Sequence, residues 1–516
     1  MPPITQLIRR LRSVLGHSPL ESITAAVAGL SIAMVLLTVV LRITYPYELE
    51  WMEGGVLEHI ARVRAGEPIY VAPTLRFVPL IYPPLYYWLS AAVMLVTGEG
   101  FLGPRLVSLG ASIGTVALIF MFVRRETGRK LPALCAAALY TATFSITEGW
   151  FDLARVDSLL PLLVLWAAYL IRFGEGVRSA VVAGVLLGCA LLTKQSALVF
   201  AAPLFLYCLA FQRRRLLGLA ATSILLSALA IGYLHWRTDG WFSYYVFSLP
   251  RQHPWEWWSL AGFWFNDLLR HVPLALAMIV ALGACRWGGW WRRGESAFYV
   301  ALAVGGFGVS WLSRLHTGGG LNTIMPALAV IAILFGLAIA RLSEAVDGLR
   351  DASQAAKTGL KTMIWLAVIC QLVLLATCPM RWVPTEADRK AGDELVARIA
   401  AFQRDVIIPT SPYLATRADK PSTAHHMAVM DLLRATGSDE IQEAFLADAN
   451  RELADPRYEA ILLYRAKGWF DQTPIPEEFL YQGPVITPSN AFQPKSGFTQ
   501  YVPSHLFVRR PEQDGR

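Results

Sequence analysis

Long uninterrupted apolar runs constrain this chain more than any other feature. About eleven stretches, near residues 21–43, 104–123, 131–147, 157–172, 178–193, 196–211, 216–236, 271–285, 296–313, 321–340 and 362–379, approach the roughly 17–25 residues needed to cross a hydrocarbon core. Composition agrees: 55% of residues are hydrophobic and only 16% charged, below the roughly 25% charged residues of a soluble domain. The pattern implies a polytopic α-helical membrane protein. The formal charge of +8 is spread over loops rather than gathered in one patch, so no nucleic-acid partner is expected.

Strict alternation of the spans places one set of basic loops on a common side. These carry Arg9, Arg10 and Arg12; Arg124, Arg125, Arg129 and Lys130; Arg172 and Arg178; Arg213 to Arg215; Arg286, Arg292 and Arg293; and Arg341, Arg350, Lys357 and Lys361. Such enrichment marks the cytoplasmic side. It puts the N-terminus (residues 1–20) inside and, with an odd number of crossings, the tail outside, as in a bacterial-type inner (plasma) membrane protein. Residues 1–43 read as a retained signal anchor. Cys135, Cys189, Cys208, Cys285, Cys370 and Cys378 all fall in or beside apolar runs, which suits buried small hydrophobes better than disulfides or a metal site.

The membrane domain is expected over residues 21–379, with long outer loops at 44–103 and 237–270. In the first loop, "EGGVLEHIARVRAG" has the spacing of an interfacial helix ended by Gly66, and "YPPLYYWLSAAVMLVTG" reads as a second interfacial or re-entrant helix. The second loop contains Trp241, Trp255, Trp257, Trp258 and Trp264, an interfacial aromatic belt, some of whose rings could line a lipid or sugar site. Residues 380–516 turn to mixed charge. Helical patterns at 386–402 and 439–453 alternate with strand-like segments at 406–410, 458–464 and 505–510, predicting a small extracytoplasmic α/β domain.

Ionisable residues from five separate segments then converge on the outer interface. They are Glu48, Glu50 and Glu53 in "YELEWMEGG"; Asp152, Arg155 and Asp157 in "WFDLARVDSLL"; Lys194 in "LLTKQSALV"; and Arg314 and His316 in "SRLHTGGGLN". Charges at membrane depth are costly and mark function by default, although residues at helix ends also face water for no reason but solvation. The acids suit a general base, with Glu50 and Glu53 on one face of a helix at i and i+3. Lys194, Arg155 and Arg314 suit a phosphate. Glu53 and Asp157 could also hold a divalent cation. The glycine turn offers backbone N–H groups to an anion, while His425 and His426, followed by Asp431, read as an ordinary surface helix.

The order of "ARVRAGEPIY", "YPPLYYWL", "RLVSL", an outer Asp before the fourth span and "LLTKQSALVFAAP" resembles GT-C fold glycosyltransferases over about residues 20–340. The similarity is to bacterial polyprenyl-phosphate-sugar-dependent enzymes such as the aminoarabinose transferases of lipid A, to the protein O-mannosyltransferases, and more loosely to rhizobial core-sugar transferases. It implies inverting transfer from a polyprenyl-phosphate-linked sugar donor to a glycan, lipid or protein acceptor. It implies a base in the first outer loop, a second acid at Asp157, and a lysine near the lipid phosphate at Lys194. The family opens that loop with an Asp–Glu pair, whereas this chain has Met52–Glu53 with Glu50 upstream, so the base falls to Glu50 or Glu53. Two other classes fit an apolar chain of this kind: a transporter, which would favour charges at the midplane and repeated halves, and an inactive relative that only binds.

Overall fold

The computed structural model describes residues 18–285, 293–466, 475–486, 491–497 and 501–511. Arg9, Arg10, Arg12, Arg286 and Arg292 lie outside them. Seven helices among the described residues are long and apolar enough to cross a membrane, and a pair bent by 97° (Ser259–Leu269 and Pro273–Ala284) would make an eighth. Four of the eleven expected spans coincide with shorter helices, namely Lys130–Ala142, Gly176–Leu191, Ala197–Phe211 and Pro273–Cys285. At 1.5 Å per residue, helices of 13 to 16 residues fall short of a core about 30 Å thick.

The first helix, α1 (Pro19–Arg42), begins in a capping box: the Ser18 hydroxyl accepts from the Glu21 amide and the Glu21 carboxylate accepts from the Ser18 amide. In the first long loop follow α2 (Glu53–Arg64) and α3 (Leu85–Thr97), and then the long α4 (Leu102–Thr127) and α5 (Lys130–Ala142). The segment over 85–97 is a 13-residue helix packed against α2 and α4. The remaining membrane helices are α6 (Leu159–Phe173), α7 (Gly176–Leu191), α8 (Ala197–Phe211), α9 (Arg213–Arg237), α10 (Pro273–Cys285), α11 (Arg293–Leu315), α12 (Met325–Asp347) and α13 (Gln354–Leu374).

Helix α12 is the axis of the bundle. It is buried without interruption from Met325 to Ala340, as a helix apolar on every side must be, and α4, α5, α10, α11 and α13 surround it. Gly336 permits the closest approach, since a Cβ there would lie 2.7 Å from Val123 and 2.8 Å from Ala136. By contrast α9 packs on α7 and leaves most of its apolar surface outward. Cys135 and Cys208 are buried, as expected. Cys370, on α13, and Cys378, in the chain that follows it, are exposed, and the cysteines with described side chains are free thiols.

Beyond residue 380, α14 (Glu386–Ala400), α15 (His426–Leu433) and α16 (Asp439–Ala454) accompany a four-stranded sheet. Its strands are β1 (Asp405–Ile407), β2 (Tyr458–Leu463), β3 (Phe479–Pro484) and β4 (His505–Arg509), in the order β1-β2-β4-β3. The β1–β2 pair is parallel and the other two are antiparallel. The sheet-bearing part sits directly on the first long loop. Amphipathic α2 is roofed by it rather than left open: a Cβ on Gly54 would meet Tyr413 at 2.5 Å, and one on Gly55 would meet His425 at 2.8 Å. These two glycines let the rings press onto the helix backbone.

Candidate active site

The chain from α1 to α2 makes a tight turn whose three glutamates point in different directions. Glu53 opens α2 and is fully buried. Its Oε1 accepts from Arg105 Nε (2.9 Å) and the Ala154 amide (2.6 Å), and its Oε2 from Arg105 Nη2 (2.6 Å) and the Leu49 amide (2.6 Å). Burial would raise its pKa, but the guanidinium and these hydrogen bonds hold the carboxyl below its ordinary range. Glu53 is a structural anion facing away from open space, and the base assignment to it is not supported. Glu48 likewise turns aside, accepting from the Gly54 amide (2.9 Å) and Ser411 Oγ (2.8 Å), and so ties the loop to the C-terminal part.

Glu50 is different. It lines a cavity of about 460 Å³ bordered by the first long loop, the chain around residues 148–155, the α7–α8 turn, the glycine turn after α11, and α15. Its Oε2 accepts from Arg155 Nη1 (2.9 Å) and the Met52 amide (3.2 Å). Burial pushes its pKa up to about 7, Arg155 pulling against that and Glu53 adding to it. The Glu50–Glu53 pair expected on one helical face is split, because α2 starts only at Glu53.

Across the cavity, the 3₁₀ turn Val156–Ser158 presents Asp157 to Lys194. Lys194 Nζ lies 2.7 Å from Asp157 Oδ1, which also accepts from Asn322 Nδ2 at 2.9 Å, while Oδ2 is buried without a hydrogen-bond partner. Burial opposes the charge on Lys194, but Asp157 keeps its pKa above the ordinary range. Arg155 also leaves its buried Nε without a partner and has its guanidinium 4.7 Å from the Trp150 ring centroid. Lys194 and Arg155 thus place two cations on the cavity wall.

Several expected ligand residues instead hold the frame. Asp152 forms a fully buried bidentate pair with Arg42, which also donates to the Gly149 carbonyl (2.6 Å) and Ser496 Oγ (2.8 Å). Arg314 is bound to Asp267 (2.7 Å) and to the Gly319 carbonyl, so it braces the glycine turn rather than facing the cavity. Gly319 has no room for a side chain, as a Cβ would lie 2.0 Å from the Ser313 carbonyl oxygen. His316 does reach the wall, with Nε2 2.9 Å from the Pro250 carbonyl and Nδ1 2.9 Å from that of Thr317. For a divalent cation the fit is poor: Glu53 is saturated by Arg105 and Asp157 is engaged by Lys194. No group of three or more His, Cys, Asp or Glu positioned for a metal occurs among the described residues.

The largest departure from sequence reasoning is α15. It is not a surface helix: His425, His426 and Asp431 are 4%, 2% and 3% exposed. His425 stacks on Trp51 and caps α15 by accepting from the Met427 amide, while His426, Met427, Met430, Asp431 and Arg434 form one cavity wall. Burial drives both histidines down to about 3 and raises the Asp431 carboxyl. The cavity's tryptophans are Trp51 and Trp150. Trp255, Trp257, Trp258 and Trp264 of the second loop stay outward, between 40% and 68% exposed, as a belt would. Arg42 and Arg105 carried a legible signal, since an arginine at the outer end of an apolar run must find a buried acid. The α15 wall carried none, because its neighbours are hundreds of residues away in sequence.

Residues 82–236 match the sequence model of the dolichyl-phosphate-mannose-protein mannosyltransferase family, a stretch that includes Arg105, Asp157 and Lys194. No curated protein matches this chain by sequence. Among solved structures, ArnT from Cupriavidus metallidurans in the apo state matches with 12% identity and a TM-score of 0.53, covering 85% of this chain and 92% of that one. The same protein bound to undecaprenyl phosphate matches with 13% identity, TM-score 0.53, and coverage of 84% and 92%. At such identity the likeness speaks for the fold. The chain is a multi-pass membrane protein of the GT-C fold, similar to the glycosyltransferases that use polyprenyl-phosphate sugars.

Proposed function

We propose that this protein is a glycosyltransferase that moves one sugar, with inversion, from a polyprenyl-phosphate carrier to a hydroxyl or amine acceptor at the outer face of a bacterial-type inner membrane. The N-terminus lies in the cytoplasm and residues 380–516 form an extracytoplasmic domain. The observation that carries the reading is geometric: the buried Glu50 carboxylate shares one cavity with the cations of Arg155 and Lys194, and burial pushes its pKa up to about 7. Glu50 removes the acceptor proton as the acceptor oxygen or nitrogen attacks the anomeric carbon. The bond from that carbon to the phosphate oxygen breaks, and the electron pair leaves with the polyprenyl phosphate. Lys194, held by Asp157 and Asn322, meets the departing charge, and Arg155 contributes from the Glu50 side. The ArnT structure with undecaprenyl phosphate supports the donor class by analogy of fold.

The test is transfer of labelled sugar from a panel of polyprenyl-phosphate sugars by the purified protein. Wild type should turn over at least one donor, with kcat/KM rising with pH through about 7 as Glu50 loses its proton. Glu50→Gln should lower kcat by roughly 10²–10⁴-fold while retaining carrier binding. Turnover by Glu50→Gln at wild-type rate would remove Glu50 from the chemistry, and absence of turnover with every donor would favour a binding role.

A further inference from the structure

Beside Glu50 the cavity is lined by Glu148 and Asp431, and the reaction above does not use Asp431. Asp431, on α15, is 3% exposed and lies on the cavity wall. Its carboxylate receives no hydrogen bond from a described residue, and its one ion pair among the described residues is with Arg434 Nη2, 3.3 Å from Oδ1, with His316 and Arg155 acting from farther off. Arg434 is anchored independently: Nε donates to the Met430 carbonyl at 3.0 Å, and Nη1 lies beside Gly318 of the glycine turn. What little of Asp431 is exposed opens into the cavity, so its oxygens are free to accept from a donor that enters there.

The pair is electrically neutral, so the missing donors are neutral ones. An ammonium would be opposed by Arg434, and a phosphate would be repelled by Asp431. Two carboxylate oxygens beside a fixed guanidinium can accept from one hydroxyl pair while the arginine donates to a third oxygen. Met427, Met430 and the Trp51 ring supply apolar surface in the same cavity, which suits the C–H face of a pyranose.

Resting on the proposed function, we infer that Asp431 and Arg434 form a carbohydrate subsite that binds vicinal hydroxyls of a neutral sugar ring. This makes the C-terminal α15 a specificity-determining wall of the cavity. The ring belongs either to the sugar being transferred or to a glycan acceptor.

The experiment compares wild type, Asp431→Asn and the charge-neutral double variant Asp431→Asn/Arg434→Gln in nanodiscs. The double variant guards against misfolding caused by leaving Arg434 without its counter-charge. Affinity is measured for undecaprenyl phosphate and for undecaprenyl-phosphate-linked hexoses, and KM for envelope glycolipid acceptors in the transfer assay. Both variants should bind sugar-free undecaprenyl phosphate as wild type does. They should then lose about ten-fold or more either in affinity for a sugar-bearing carrier, which assigns the transferred sugar, or in acceptor KM, which assigns the acceptor. If the carrier binds and neither quantity moves, the subsite is overturned while the proposed function stands. If wild type binds no polyprenyl phosphate, the proposed function falls first and takes the subsite with it.

Discussion

Replacing Glu53 by Gln separates structure from chemistry in the first long loop. Each Glu53 oxygen receives two donors, one from Arg105 and one from a backbone amide. An amide side chain keeps one of those oxygens and turns the other into an NH₂ group facing two N–H donors. Two buried hydrogen bonds are lost whichever way it points, and a guanidinium with 0% exposure loses its counter-charge. Breaking one side of such a pair costs about 3–5 kcal/mol, a figure that already contains much of the roughly 1–3 kcal/mol per orphaned donor. Thermal unfolding in detergent should shift down by about 3–5 °C, with activity falling only as far as folded protein is lost. Combining Glu53→Gln with Arg105→Met should recover part of the shift. Recovery stays partial because Arg105 also donates to the Tyr45 and Tyr47 carbonyls, each at 2.6 Å. A Glu53→Gln protein that melts like wild type yet has lost turnover would refute this reasoning and restore Glu53 as the base.

Two further outcomes follow from the C-terminal contacts. Gly497 has φ +78°, and a Cβ there would lie 2.9 Å from Glu50 Cγ. Gly497→Ala should therefore displace Glu50 and lower kcat by about ten-fold, for roughly 1–2 kcal/mol of backbone strain; an alanine enzyme with wild-type kcat would show that the contact does not position the base. His425 and His426 titrate at about 3 in the fold against about 6.5 unfolded. The unfolded chain thus binds more protons below 6.5, and the contribution of each histidine is complete above that pH and lost as pH falls toward 3. The loss approaches about 1.4 kcal/mol per pH unit for each residue. Hydrogen exchange should show α15 losing protection at pH 5 while α12 keeps it, and equal protection at pH 5 and 7 would contradict the burial argument.

The sequence by itself determined the class of the molecule and named the ionisable residues of its long loops. Periodicity and run length are local, so α1, α4, α12 and most other membrane helices, along with α14, α16, β2 and β4, were legible from residue order. So was the convergence of Glu50, Asp157 and Lys194, because alternating spans bring every second connection to one side. Tertiary structure alone decided which ionisable groups meet open space. Glu50 and Glu53 stand three residues apart and look equivalent in the chain, yet Arg105 saturates one and the cavity receives the other. Asp152 and Arg314 were drawn into buried pairs by Arg42 and Asp267. The wall formed by α15 was invisible, because an apolar stripe records that a helix face is covered and not what covers it. A partner some 370 residues away, such as Trp51 for His425, is chosen by packing geometry, which no local pattern encodes.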